Sequence, residues 1–177
     1  MKKRSAALLL ISVMLLVLCS CGKAEAPKDN GEKPSTDDKV FTVNGQEFRM
    51  DAEKSFSGIN YSVPEDFKEV DHYEFTPYIQ YNYLQEDSSN LLYFRIFYYE
   101  GKGNEAAIKD LGLQGEIKYT EGKTGDIDYQ LYAEPRDDGG TMHFYFIHKD
   151  GDTYVLSFVS KYDIADFEKK VLNSLSF

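Results

Sequence analysis

From residue 40 onward the dominant pattern is alternation of apolar and polar positions with a period of two. In Tyr78–Gln85, Ile79, Tyr81 and Tyr83 alternate with Tyr78, Gln80, Asn82 and Leu84. In Leu91–Glu100, Leu92, Phe94, Ile96 and Tyr98 alternate with Leu91, Tyr93, Arg95, Phe97 and Tyr99. A strand sends successive side chains to opposite faces, so these runs predict a strand pair joined by the polar loop 86–90. Residues 140–148 and 153–160 predict the clearest hairpin, turning at Lys149-Asp150-Gly151-Asp152. Asn44-Gly45 inside Val40–Met50 predicts another with a type I′ turn. Gly58–Val63 reads as a strand stopped by Pro64, followed by a single tight turn, Pro64-Glu65-Asp66-Phe67. Glu116–Thr120 and Asp126–Glu134 read as strands around a turn at Gly122-Lys123-Thr124-Gly125.

Two segments depart from that period. Asn104–Leu111 predicts a short helix with Asn104 as N-cap and Gly112 as its stop. From Asp163, residues Ile164, Phe167, Val171 and Leu175 form one apolar stripe at helical spacing, with Asp163 placed to cap. Strands that follow one another through short turns, with a long helix last, predict an α+β fold built on an antiparallel sheet. The terminal helix must bury its stripe against one face of that sheet.

The first 39 residues follow neither pattern. Lys2-Lys3-Arg4 precedes an apolar run, Ala6–Leu18, of 13 residues. A membrane-spanning helix needs about 20, so the run fits the core of an export signal. Leu18-Cys19-Ser20-Cys21 then resembles the bacterial lipobox, which implies that Cys21 is the lipidated residue and that residues 1–20 are removed. Two or three acyl chains on one cysteine anchor a protein durably. Residues 22–39 hold no large apolar side chain and read as a disordered tether, with an r.m.s. reach of roughly 20–25 Å. The expected organisation is signal 1–20, lipidated Cys21 and tether 21–39, and one domain 40–177. The expected location is the cell membrane, on its extracytoplasmic side.

Composition sharpens this picture. Fourteen Tyr and twelve Phe with no Trp favour half-buried pleated surfaces. Net charge is −10, and −13 once Lys2, Lys3 and Arg4 leave with the signal. Such a chain repels phosphate backbones, so nucleic acid is not an expected partner. The only cysteines are Cys19 and Cys21. The domain therefore has no disulfide, thiol nucleophile or cysteine-ligated metal.

Each candidate for chemistry has a plain structural reading. Gly122-Lys123-Thr124 suggests a phosphate loop, but Ile117 stands where that motif needs its first glycine, and a strand follows. His143 and His148 are five apart on one strand and face opposite sides, so they cannot share a metal; His72 is in another segment. No nucleophile elbow surrounds Ser55, Ser57 or Ser88. Asp126-x-Asp128, Asp137-Asp138-Gly139 and Asp150-Gly151-Asp152 lack the length of a calcium loop and fit turns. Neither cofactor nor metal is expected.

The aromatic excess holds more promise. Rings occupy both faces of the predicted sheet, and one face has the terminal helix to cover it. The other is either covered by the short helix and loops or partly open. Tyr93, Arg95, Tyr99 and Tyr145 are the candidate binding face, suited to stacking on a sugar ring or docking a protein.

Finally, "GINYSVPEDF", the tyrosine-rich central hairpins and the closing "TYVLSFVSKYDIADFEKKVLNSLSF" resemble the Mog1/PsbP-like fold over about residues 56–177. The resemblance implies an antiparallel sheet sandwiched by helices and, in the main, a non-enzymatic role. The expected function is a membrane-anchored, non-catalytic binding module, with an envelope protein or glycan as partner. The alternatives are an assembly subunit of an envelope complex, or an envelope hydrolase using Asp or Glu with His72 or His143.

Overall fold

The computed structural model describes residues 38–72, 77–84 and 90–177. The predicted signal, Cys21 and the tether up to residue 37 lie outside these, as do Ser88 and the side chain of His72. The strands are β1 (Val40–Val43), β2 (Gln46–Arg49), β3 (Ala52–Phe56), β4 (Ile59–Val63), β5 (Lys68–His72), β6 (Tyr78–Leu84), β7 (Asn90–Tyr99), β8 (Thr120–Thr124), β9 (Ile127–Pro135), β10 (Thr141–Lys149) and β11 (Asp152–Ser160). The helices are α1 (Asn104–Asp110) and α2 (Ala165–Ser174). Seven strands form one sheet in the order β5-β6-β7-β11-β10-β9-β8, every pair antiparallel. The α+β class with an antiparallel sheet is as the sequence predicted.

β11 lies in the middle, and all its residues after Asp152 are buried. Its unbroken run TYVLSFVS suits a strand covered on both faces. Pairing β11 with β7 on one side and β10 on the other fixes which residues share a face. Phe158 stands opposite Phe94 and His143, Leu156 opposite Ile96 and Tyr145, and Ser157 opposite Arg95 and Phe144.

The face carrying Phe94, Ile96, Leu156 and Phe158 is covered by α2 and the hairpins β1–β2 and β3–β4. Phe167 of α2, fully buried, is its centre: the ring stacks on Phe41 at 4.8 Å and meets Phe158 edge-on at 5.7 Å. Burying such a ring contributes roughly 1.5–3 kcal/mol. The predicted stripe holds, with Ile164, Phe167 and Val171 buried and Leu175 half-buried just past the helix end. Asp163, expected to cap the helix, lies one residue before its N-cap Ile164, and its carboxylate accepts the Ala165 N–H at 3.0 Å. At the far end the Ser174 hydroxyl accepts the Ser62 N–H at 2.8 Å, tying α2 to β4. The opposite face carries a second cluster, in which Phe97, Tyr99, Phe144, Phe146 and Val155 are buried with Ala107 of α1 and the half-buried Ile108, Leu111 and Tyr119.

Turn chemistry accounts for the hairpins that sequence reading found. Asn44 (φ 50°) and Gly45 (φ 76°) give the left-handed pair that a type I′ turn requires, as do Asp150 (φ 53°) and Gly151 (φ 94°). Ser57 (φ 48°) and Gly58 (φ 88°) make a third such turn, which creates β3, a strand the alternation did not predict. The polar edge strand β5 was likewise not expected. Two further expectations are corrected. The segment 116–119 is not strand; Gly122-Lys123-Thr124 lies within β8, and the turn falls at Gly125-Asp126. Gly122 suits a strand here because the Tyr129 ring lies on it, where a Cβ would sit 2.3 Å from the ring. Asn104 is not the cap of α1: Gly103 is, and the Asn104 amide donates to Gln130 Oε1 at 2.7 Å. Gly112 (φ 69°) ends α1 as predicted.

Candidate functional site

The register divides the four residues of the expected binding face. Tyr93, Arg95 and Tyr99 share the α1 side of β7. Tyr145 does not join them: it stands opposite Leu156, on the α2 side, with its ring buried. Tyr99 is buried too, because α1 lies on it and its hydroxyl donates to Asp110 at 3.1 Å. Burial and the neighbouring carboxylate together push that phenol's pKa up. Tyr93 and Arg95 remain half-exposed. The face proposed from the sequence is therefore corrected to this pair, the two residues that α1 leaves uncovered.

A cleft of about 850 Å³ lies at one corner of the sheet, at a place that no local sequence pattern marks. There β10 runs past its last pairing with β9, at Ile147 and Tyr129. The tip of the β8–β9 hairpin, the end of β10 and the chain segment after α2 enclose the gap. An antiparallel bridge between Asn60 and Ser176 holds that last segment in place, with backbone bonds of 2.8 and 3.0 Å. The lining is rich in acceptors, including Glu121, Asp126, Asp128 and Asn173, with the rings of Tyr129 and Phe177. Phe177 is 42% exposed, and Lys149 Nζ lies 6.0 Å from its ring centroid. Several of these groups are held in place. Asn173 Oδ1 accepts the Thr124 hydroxyl at 2.8 Å, and Glu121 Oε1 accepts the Gln130 amide at 2.8 Å. His148, the imidazole of the cleft, bonds the Thr153 hydroxyl at 3.1 Å.

A second constellation joins β10 to α2. Glu168, 4% exposed, lies 2.7 and 2.9 Å from His143 Nδ1, and its Oε2 accepts the Tyr145 hydroxyl at 2.7 Å. The hydrogen bond to Glu168 raises the pKa of His143 above its ordinary value, against burial, which lowers it. Burial first, then the Glu168 charge, raises that of Tyr145. A histidine–carboxylate pair is the arrangement that general acid–base chemistry uses. Here the carboxylate is buried, and the pair lines neither the corner cleft nor the two smaller clefts beside α2, of about 530 and 480 Å³. Its contacts are those of a buried carboxylate satisfied by two neighbours.

The acidic pairs act as turn and loop partners. Asp138 accepts Arg136 (2.9 Å) and the Gly140 N–H (3.1 Å), and these hold its pKa down at about 2. Asp152 accepts the Gly101 N–H at 2.7 Å and the Tyr98 hydroxyl at 2.8 Å. Among the described residues no group of three or more His, Cys, Asp or Glu side chains is placed to hold a metal.

No protein-family model matches this chain, and no curated protein matches it. Among solved structures, the chain is similar to a protein from Bacteroides thetaiotaomicron VPI-5482, at 20% identity and a TM-score of 0.47. That match covers 67% of this chain and 44% of the other, so the chain spans less than half of that protein.

Proposed function

We propose that this chain is an exported lipoprotein, anchored through Cys21 to the extracytoplasmic side of the cell membrane, whose domain is a non-catalytic binding module. The domain is read as a Mog1/PsbP-like sandwich, in keeping with helices on both faces of its antiparallel sheet. The observation that carries the binding role is the corner cleft. Its volume, about 850 Å³, is in the range of small-molecule sites. Its acceptors and rings suit a hydroxyl-rich ligand: sugar hydroxyls donate to Asp126, Asp128 and Asn173, while a pyranose face packs on Tyr129 or Phe177. An envelope oligosaccharide is the partner this lining favours. His148 in the cleft bonds the Thr153 hydroxyl rather than a carboxylate that would orient it as a base.

The test is equilibrium binding of the full-length protein, held in lipid vesicles, to oligosaccharides released from the envelope. Binding that falls about tenfold or more in Asp128→Ala and Asn173→Ala is the expected result. Binding by neither the native protein nor the variants would end the proposal. The anchor is tested separately: Cys21→Ser should lose acyl labelling and leave the membrane fraction.

A further inference from the structure

Away from the corner cleft, on the α1 side of the sheet, β7 carries a cation that no described carboxylate pairs. The Arg95 guanidinium lies between two rings of its own strand, its carbon 5.0 Å from the Tyr93 centroid and 5.3 Å from that of Phe97. These contacts fix the plane of the guanidinium and offset part of its desolvation. They provide no acceptor. Arg95 Nε is buried and has no hydrogen-bond partner among the described residues. No ion pair formed by a described carboxylate reaches it, although Arg49, Arg136 and five lysines are paired in this way. The nearby Asp110 carboxylate is bonded by Tyr99.

The residue facing Arg95 on β11 is in the same condition. Ser157 is fully buried, and its hydroxyl has no partner among the described residues. On the other flank Gln80 stands opposite Arg95 and Asn82 opposite Tyr93, their side chains bonded to each other at 2.5 Å. Gln80, Asn82, Tyr93 and Arg95 are all half-exposed. A chain of net charge −10 thus holds a half-buried cation on a sheet face, flanked by rings, beside a buried hydroxyl with no partner among the described residues. Buried polar groups are ordinarily satisfied, and an unpaired one points to a missing partner.

We propose that the Tyr93–Arg95 shelf is a receptor for the carboxylate of a small ligand, independent of the corner cleft. A planar guanidinium presents a fork that a planar carboxylate matches with two parallel N–H···O bonds. The Tyr93 ring offers a flat apolar surface for the body that bears the carboxylate. A single negative charge suits the site better than the double charge of a phosphate monoester, since the rest of the domain is acidic.

The test is saturation-transfer NMR on the full-length protein in vesicles, with three probes: benzoate, the neutral benzyl alcohol, and phenyl phosphate. Benzoate should bind, and benzyl alcohol should bind about tenfold more weakly or not at all. Arg95→Gln should weaken benzoate about tenfold or more, and Arg95→Lys, which keeps the charge and loses the fork, by less. Asn173→Ala in the corner cleft should leave benzoate binding unchanged, so this result stands or falls apart from the glycan reading. Equal binding of benzoate and benzyl alcohol, binding of phenyl phosphate alone, or native-like benzoate binding by both Arg95 variants would each overturn the proposal.

Discussion

Replacing Glu168 with alanine is the perturbation that best tests how the two halves of the domain are joined. Glu168 is the one charged side chain among the buried polar groups of the described residues, and it reaches from α2 to two side chains of β10. Its removal leaves the buried Tyr145 hydroxyl without an acceptor, at a cost of about 1–3 kcal/mol. It also removes the partner of His143. Breaking a fully buried pair costs about 3–5 kcal/mol, but the His143 side chain is 30% exposed, so the lower end applies. The expected loss is about 3 kcal/mol in urea unfolding, read at constant m-value. The effect has a pH signature. The folded pKa of His143 is raised above its unfolded value by Glu168. The proton-linked part of the stability is therefore complete below about pH 6.5 and is lost as pH rises through the folded pKa. Glu168→Ala should cost more near pH 5.5 than near pH 8.5, and Glu168→Gln should lose the pH-dependent part while keeping an acceptor for Tyr145. A cost under about 1 kcal/mol at both pH values, or one that does not vary with pH, would refute this reasoning.

Other outcomes follow from the same geometry. Phe167→Ala should destabilise the domain by about 3–5 kcal/mol in urea unfolding, since its ring touches Phe41, Phe67, Phe94 and Phe158. Gly122→Ala forces the Tyr129 ring off β8 and should cost about 1–3 kcal/mol; because Tyr129 lines the corner cleft, glycan binding should weaken with it. Gly45→Ala, at φ 76°, should cost about 1 kcal/mol with no effect on binding. The Tyr98 phenol, held by Asp152, should titrate at about 12 by tyrosine ring-carbon NMR, and Asp152→Asn should return it toward 10.

The parts of the fold legible in the sequence were those where one local rule acts alone. Asn-Gly and Asp-Gly occupy turns that demand positive φ, and strands of alternating rings flank them. β3 and β5 were hidden because AEKSF and KEVDH are polar, and because a serine supplies the first left-handed residue of the β3–β4 turn. Gly-Lys-Thr-Gly has turn composition, yet the β8–β9 turn falls after Thr124, because Gly122 serves the approach of an aromatic ring from the next strand. Register divides the expected binding face. Alternation along β7 and along β10 does not show how the two strands stand to each other, and only β11 between them places Tyr145 on the face of Ile96 rather than on that of Arg95. The His143–Glu168 contact joins residues 25 apart on a strand and a helix, and nothing local marks it. The corner cleft has the same character, since it gathers a hairpin tip, a strand end and the last residues of the chain.

The most direct test of the binding account is hydrogen–deuterium exchange on the full-length protein in vesicles, with and without envelope oligosaccharides. A ligand in the corner cleft should slow exchange in peptides covering 121–130 and 172–177 and leave the β6–β7 hairpin unchanged. Protection confined to other segments, or none at saturating oligosaccharide, would contradict it.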